Sequence, residues 1–172
     1  MQKKYVKVKY SKIFNRLAVK LATLFGIGNV QHCPGTVGSF FGTILYAVTI
    51  RKVAILPRSL IMLFMLILSL IICDIAEKIL KKHDPKEIIL DEFVAMPFVF
   101  FSVEEYFPKK LNVAFIMIIG FIIFRIFDIL KPLGINLLQK LPGGIGILAD
   151  DIVAAIYSNI TLKVLGVCLS CV

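Results

Sequence analysis

Five of the chain's eleven acidic side chains, Asp91, Glu92, Asp128, Asp150 and Asp151, fall inside or at the ends of its apolar segments. Burying an isolated carboxylate costs several kcal/mol even after relaxation, so an apolar protein that keeps these groups must neutralise them. A divalent cation does so well. Mg²⁺ prefers carboxylate oxygens together with waters and a substrate phosphate, and acidic pairs drawn from different helices are what such a site requires. The same pairs also suit solvated helix ends or salt-bridge partners, and residue type alone leaves both readings open.

Arg125, Asp128 and Lys131 recur at spacings of three, which predicts one shared helical face. Two cations flanking an acid suit a phosphate beside a metal, because Arg grips phosphate oxygens in a planar fork and Lys acts as a point charge. An Arg125–Asp128 structural ladder is the rival reading. The run Pro34-Gly35-Thr36-Val37-Gly38-Ser39 feeds directly into an apolar segment. Glycines there permit close backbone approach, while Thr36 and Ser39 supply hydroxyl donors and a helix N-terminus attracts an anion. It is not a Walker loop, since no Gly-Lys-Ser/Thr follows. Nor does Cys33 carry the Arg six residues on that a cysteine phosphatase needs; Ser39 stands there. His83 suits either a general acid or a structural partner beside Asp84.

The elements that must hold these groups are apolar. The 172 residues are 59% hydrophobic and 18% charged, with mean hydropathy +0.91. One domain of that size cannot bury so much apolar side chain in water, so the bilayer is the expected solvent. A net charge of +9 does not indicate nucleic acid, because seven of the twenty basic residues crowd into the first twenty positions and no aromatic interleaving accompanies them. Lys3, Lys4, Lys7, Lys9, Lys12, Arg16 and Lys20 form an arm suited to an anionic lipid surface and to a cytoplasmic N-terminus. Residues 1–24 are expected as this arm and a helix, ahead of a helical domain over residues 25–172. Cys168 and Cys171 close the chain without a second ligand pair and are expected as buried small hydrophobes.

The pattern predicts an all-α, compact, membrane-associated bundle with short Gly/Pro-rich loops. Residues 26–39 read as a polar loop before a helix over about 40–50. The apolar runs 59–73 and 111–124 are shorter than the roughly 20 residues a span needs, so each crosses only by extending into flanking residues such as Leu56, Pro57 and Arg58. Asp84-Pro85-Lys86-Glu87 has the form of a helix start and places Asp91 and Glu92 two turns inside. Pro142-Gly143-Gly144 marks another start, and Pro132 with Gly134 a stop.

These four segments together resemble the phosphatidylglycerophosphatase A family. The similarity covers the Gly-rich stretch through Ser39; His83-Asp84 with Ile89-Leu90-Asp91-Glu92-Phe93-Val94; Phe124-Arg125 with Asp128 and Lys131-Pro132; and Gly143-Gly144-Ile145-Gly146-Ile147 with Asp150-Asp151. The blocks stand in family order from about residue 25 to residue 156. Ala95 and Ala155 stand where the family usually has Gly, and Gly134 where Pro is common. The resemblance implies Mg²⁺-dependent hydrolysis of phosphatidylglycerophosphate to phosphatidylglycerol and phosphate at the bacterial inner membrane, facing the cytoplasm. It implies Asp91, Glu92, Asp128, Asp150 and Asp151 as metal ligands, and Asp91, Glu92, Asp128, Arg125 and Lys131 as catalytic. Thr36, Gly38, Ser39, Arg125 and Lys131 would hold the substrate phosphate. A phosphatase of soluble esters, an ion transporter and a membrane scaffold are the alternatives.

Overall fold

The computed structural model describes residues 12–132, 134–139 and 141–171. Lys3, Lys4, Lys7 and Lys9 of the basic arm therefore lie outside the described residues. The described chain forms α1 (Lys12–Ala22), α2 (Pro34–Val48), α3 (Ile55–Leu80), α4 (Leu90–Val99), α5 (Val113–Leu130), the single turn α6 (Ile135–Leu138) and α7 (Gly144–Ser170), with short 3₁₀ turns and no strand among them. The all-α expectation holds.

Three helices, α3, α5 and α7, are long and apolar enough to cross a membrane. At 1.5 Å per residue α3 runs to about 39 Å and α5 to about 27 Å, against a hydrocarbon thickness of roughly 30 Å. The extension of α3 starts at Ile55 and takes in Pro57, whose missing amide costs nothing within a first turn. Leu60, Phe64 and Ile67 on α3, Ile118 and Ile122 on α5, and Ile160 and Val164 on α7 remain exposed, with Phe64 65% accessible. A belt of that kind marks a membrane protein, since water would oppose it.

Beneath the belt, Tyr46, Met96, Val99, Phe100, Phe124 and Leu162 form the main core. Its polar atoms are matched. Tyr46 Oη donates to the Phe100 carbonyl at 2.8 Å, and Asn159 Nδ2 donates to the carbonyls of Val99 and Phe101 at 3.0 and 2.9 Å. Those two side chains satisfy carbonyls that α4 leaves open at its C-terminal end.

Two expected helix starts differ from the structure. The first is α2, which begins at Pro34, so the Gly-rich run is the helix's opening turn and not a loop. Pro34 supplies a pre-set φ at the first position, and the glycines let α2 lie against α4: a Cβ on Gly42 would stand 2.4 Å from the Phe93 carbonyl oxygen. The second is α4, which begins at Leu90 and not at Asp84. Asp84 adopts φ +48° and its carboxylate accepts from Gln139 Nε2, so it caps no helix. Asp91 and Glu92 thus sit in the first turn. Lys131, expected on the Arg125 face, is instead the left-handed cap beyond α5, with φ +44°. Cys168 and Cys171 are exposed, not buried, because α7 has no buried residue beyond Gly166.

Candidate active site

The first turns of α2 and α4, the last turn of α5 and the second turn of α7 meet at one end of the bundle. In α4's first turn, Asp91 and Glu92 take positions where unpaired helix amides favour negative charge. Across from them α7 contributes Asp151. Carboxylate oxygens of these three residues all lie within 4.8 Å of one another. Asp91 and Asp151 are 5% and 4% exposed.

Around this triad the remaining charges are paired one to one. Asp128 accepts from Arg125 Nη1 at 2.5 Å. Arg125 Nη1 also stands 3.4 Å from Ser39 Oγ, which in turn donates to the Gly35 carbonyl at 2.9 Å. Ser39 is fully buried, so its hydroxyl holds Arg125 and the first turn of α2 together. Asp150 is not among the three clustered carboxylates and accepts from Lys131 Nζ at 2.5 Å. The left-handed cap redirects Lys131 toward α7 to make that pair. With Arg125 given to Asp128 and Lys131 to Asp150, no cation among the described ion pairs remains for Asp91, Glu92 and Asp151.

The oxygen atoms carry the same mark. Asp91 Oδ1, Glu92 Oε2 and Asp150 Oδ1 are buried with no hydrogen-bond partner. A folded protein leaves such groups bare at a cost of about 1–3 kcal/mol each, more when charged, unless something else meets them. Burial, then the neighbouring Glu92 and Asp151 carboxylates, pushes the Asp91 carboxyl well above its ordinary range. Burial likewise pushes Glu92 up to about 7, with Asp128 adding to the rise and Arg125 opposing it. Burial lowers the Lys131 ammonium, but Asp150 beside it more than compensates, and the net shift is upward. Converging, unmatched carboxylate oxygens fit a hard divalent cation.

Gly35 explains why a glycine opens this site. A Cβ there would stand 2.1 Å from Glu92 Oε1, so the bare Cα makes room for the carboxylate. Gly38 backs onto the Ile89 carbonyl, and Thr36 is half-buried in the same turn.

A second polar group adjoins the first, and two of its members, Asp74 and Glu77, escape a reading of the sequence. They lie three residues apart at the end of α3's apolar run, and that spacing on one face was the available clue. Glu77, only 4% exposed, accepts from His83 Nδ1 at 2.7 Å and from the Asp84 amide at 3.4 Å. Asp74 accepts from Lys78 Nζ at 2.5 Å and from the Gly144 amide at 3.4 Å. His83 is thereby engaged with Glu77.

A family model described as Phosphatidylglycerophosphatase A matches residues 20–166. The Phosphatidylglycerophosphatase A of Haemophilus influenzae is 35% identical over 146 residues, covering 83% of this chain and 84% of that one. Its Escherichia coli K12 namesake is 31% identical over 148 residues, covering 85% and 81%. A Bacteroides thetaiotaomicron protein provisionally named phosphatidylinositol-3-phosphatase is 29% identical over 154 residues, covering 86% and 92%. No solved structure matches the chain.

Proposed function

The chain belongs to the phosphatidylglycerophosphatase A family and is a phosphatase, and on that premise we propose that it hydrolyses the terminal phosphomonoester of phosphatidylglycerophosphate in a Mg²⁺-dependent reaction. The products are phosphatidylglycerol and inorganic phosphate. The observation that carries the metal dependence is the unmatched triad: three mutually close carboxylates, two of them with orphaned buried oxygens, while both neighbouring cations are taken by other acids.

Asp91, Glu92 and Asp151 would hold Mg²⁺, with Asp128 and Asp150 beside them. Bound there, the cation would neutralise phosphoryl oxygens and lower the pKa of a coordinated water. The chain's own groups do the rest. Arg125, held by Asp128 and Ser39, presents guanidinium N–H groups to phosphate oxygens, and Lys131 offers a second positive charge. Thr36 and the free amides of α2's first turn add donors for the same anion. Asp91 and Glu92, held above their ordinary range while metal-free, exchange protons for metal on loading.

A lipid substrate accords with the exposed apolar belt, which a phosphatase of soluble esters does not need. The decisive assay is phosphate release from detergent-dispersed phosphatidylglycerophosphate, with glycerol phosphate and phosphatidylinositol 3-phosphate as competitors, in Mg²⁺ or EDTA. Wild type is expected to turn over only with Mg²⁺ and to prefer the first lipid. EDTA-resistant turnover, or equal use of glycerol phosphate, would overturn the proposal.

A further inference from the structure

We propose that α1 and the turn after it form an interfacial anchor that lies in the anionic headgroup layer and fixes the height of the carboxylate site. A water-facing surface helix buries its bulky apolar residues and exposes its small or charged ones. In α1 that order is only half kept. Ala18 and Ala22, one turn apart, are its fully buried residues, and Val19 and Leu21 are half-buried against the core that Ala22 shares with α3, whereas Ile13 is 81% exposed and Leu17, on the same stripe, is exposed as well. Lys12, Arg16 and Lys20 follow at intervals of four and form an exposed basic stripe beside the apolar one. Just past the helix, Phe25 takes a left-handed φ of +59° and is 75% exposed.

Bulky apolar side chains flanked by basic ones are the arrangement that seats a helix at a lipid interface, with the apolar stripe in the acyl boundary and the cations at the phosphates. Charge selects lipid over a second copy of this chain. With 20 basic against 11 acidic residues, a copy would bring net positive charge to a positive stripe.

The helix is tied to the site by main-chain contacts. The Ile89 amide donates to the Ala22 carbonyl at 3.0 Å, two residues before Asp91. Gly28 packs so closely on the Glu87 carbonyl that a Cβ there would come within 2.1 Å of it. Whatever depth α1 takes is therefore passed to the first turn of α4. The inference concerns position in the membrane and stands apart from the reaction chemistry.

Because the chain contains no tryptophan, Ile13→Trp introduces a sole fluorophore in the full-length protein. Reconstituted in phosphatidylglycerol vesicles, it is expected to emit at short wavelength and to be quenched most by lipids brominated near the carbonyl end of the acyl chain. Ile118→Trp, on the exposed face of α5, serves as the deep reference and is expected to be quenched most by bromines further down. Adding Lys12→Gln, Arg16→Gln and Lys20→Gln to the Ile13→Trp chain is expected to reduce quenching to the level seen in phosphatidylcholine vesicles. Long-wavelength unquenched emission from Trp at position 13 would overturn the proposal. Short-wavelength emission that no brominated lipid quenches would also overturn it, by showing a protein cover. Quenching indifferent to the three Gln substitutions would overturn the role of anionic lipid. None of these readings depends on phosphate release, so their failure leaves the phosphatase proposal standing.

Discussion

Two acidic groups share one end of the bundle, and they differ in what meets their oxygens. In the group of Asp74, Glu77 and Asp84, each carboxylate has donors supplied by the chain: Lys78 and the Gly144 amide, His83 and the Asp84 amide, and Gln139. Nothing comparable serves the group of Asp91, Glu92 and Asp151, where Asp91 Oδ1 and Glu92 Oε2 lack any partner. Similar residue types thus do opposite things, with Asp74 and Asp84 half-buried and Glu77 as buried as Asp91 and Asp151. The satisfied group ties α3, the turn before α4 and the start of α7 to one another. The unsatisfied group carries an electrostatic cost that protons relieve in the metal-free fold and that a divalent cation would relieve in their place. Acid count distinguishes nothing here; donor supply does.

The largest effect expected from this contrast falls on Asp91. Asp91→Asn removes a ligand and should lower kcat by about 100-fold or more, read as phosphate release at saturating Mg²⁺. The same substitution should raise the thermal midpoint of the EDTA-treated protein, because a neutral amide replaces a carboxyl whose ionisation burial and the neighbouring Glu92 and Asp151 carboxylates oppose. A variant that lost both activity and metal-free stability would break the contrast.

Gly35→Ala comes next. The new methyl would meet Glu92 Oε1, the far end of a flexible side chain, so the fold can yield by moving the carboxylate. A displacement near 1 Å at a reacting centre costs up to about 100-fold. Activity and Mg²⁺ affinity should fall together while the melting temperature stays near that of wild type. Titration calorimetry with Mg²⁺, beside a thermal melt, checks both halves.

How much of this was legible in the sequence varies with the range of the interaction. The runs 59–73 and 111–124 made α3 and α5 visible, Pro142-Gly143-Gly144 marked the start of α7, and the Arg125–Asp128 pair followed from spacing within one helix. The starts of α2 and α4 were not visible, because contacts from far along the chain override local preference. Glycine is a poor helix former, yet Gly35, Gly38 and Gly42 are helical because α4 packs where side chains would be. Asp84-Pro85 has the form of a cap, but Gln139, 55 positions away, takes its carboxylate. Lys131 failed to share Arg125's face because one left-handed residue ends α5 and sends its side chain to Asp150. Glu77 was not legible, because its partner His83 lies beyond the end of α3 and no spacing within the helix links the two.

A smaller effect should appear in the pH dependence of stability. With the Glu92 carboxyl raised from 4.5 to about 7 in the metal-free fold, the folded state holds a proton that the unfolded state has released. Stability should therefore decline as pH rises from about 4.5 to about 7 and level off above that, since the unfolded state no longer gains by ionising. Asp91 shifts in the same direction and extends the decline upward. Saturating Mg²⁺ replaces the proton and should flatten the curve. Thermal midpoints in detergent from pH 5 to pH 8, in EDTA and in Mg²⁺, give the two profiles; identical slopes would count against metal binding at the triad.

Glu77 supplies the last and smallest effect on activity, and it tests the contrast from the other side. Its carboxylate accepts from His83 and from the Asp84 amide, so Glu77→Ala leaves two groups of the turn before α4 without their partner. An unmade buried hydrogen bond costs about 1–3 kcal/mol. The midpoint should fall in both EDTA and Mg²⁺, opposite in sign to the metal-free gain expected for Asp91→Asn. Glu77→Gln keeps an acceptor oxygen at the same reach and should recover most of that loss. Since neither substitution touches the triad's oxygens, Mg²⁺ affinity should stay within about twofold of wild type, a difference below 0.5 kcal/mol. A tenfold loss of Mg²⁺ affinity in Glu77→Gln would instead merge the two acidic groups into a single metal centre, and the distinction between satisfied and unsatisfied carboxylates would no longer separate structure from chemistry.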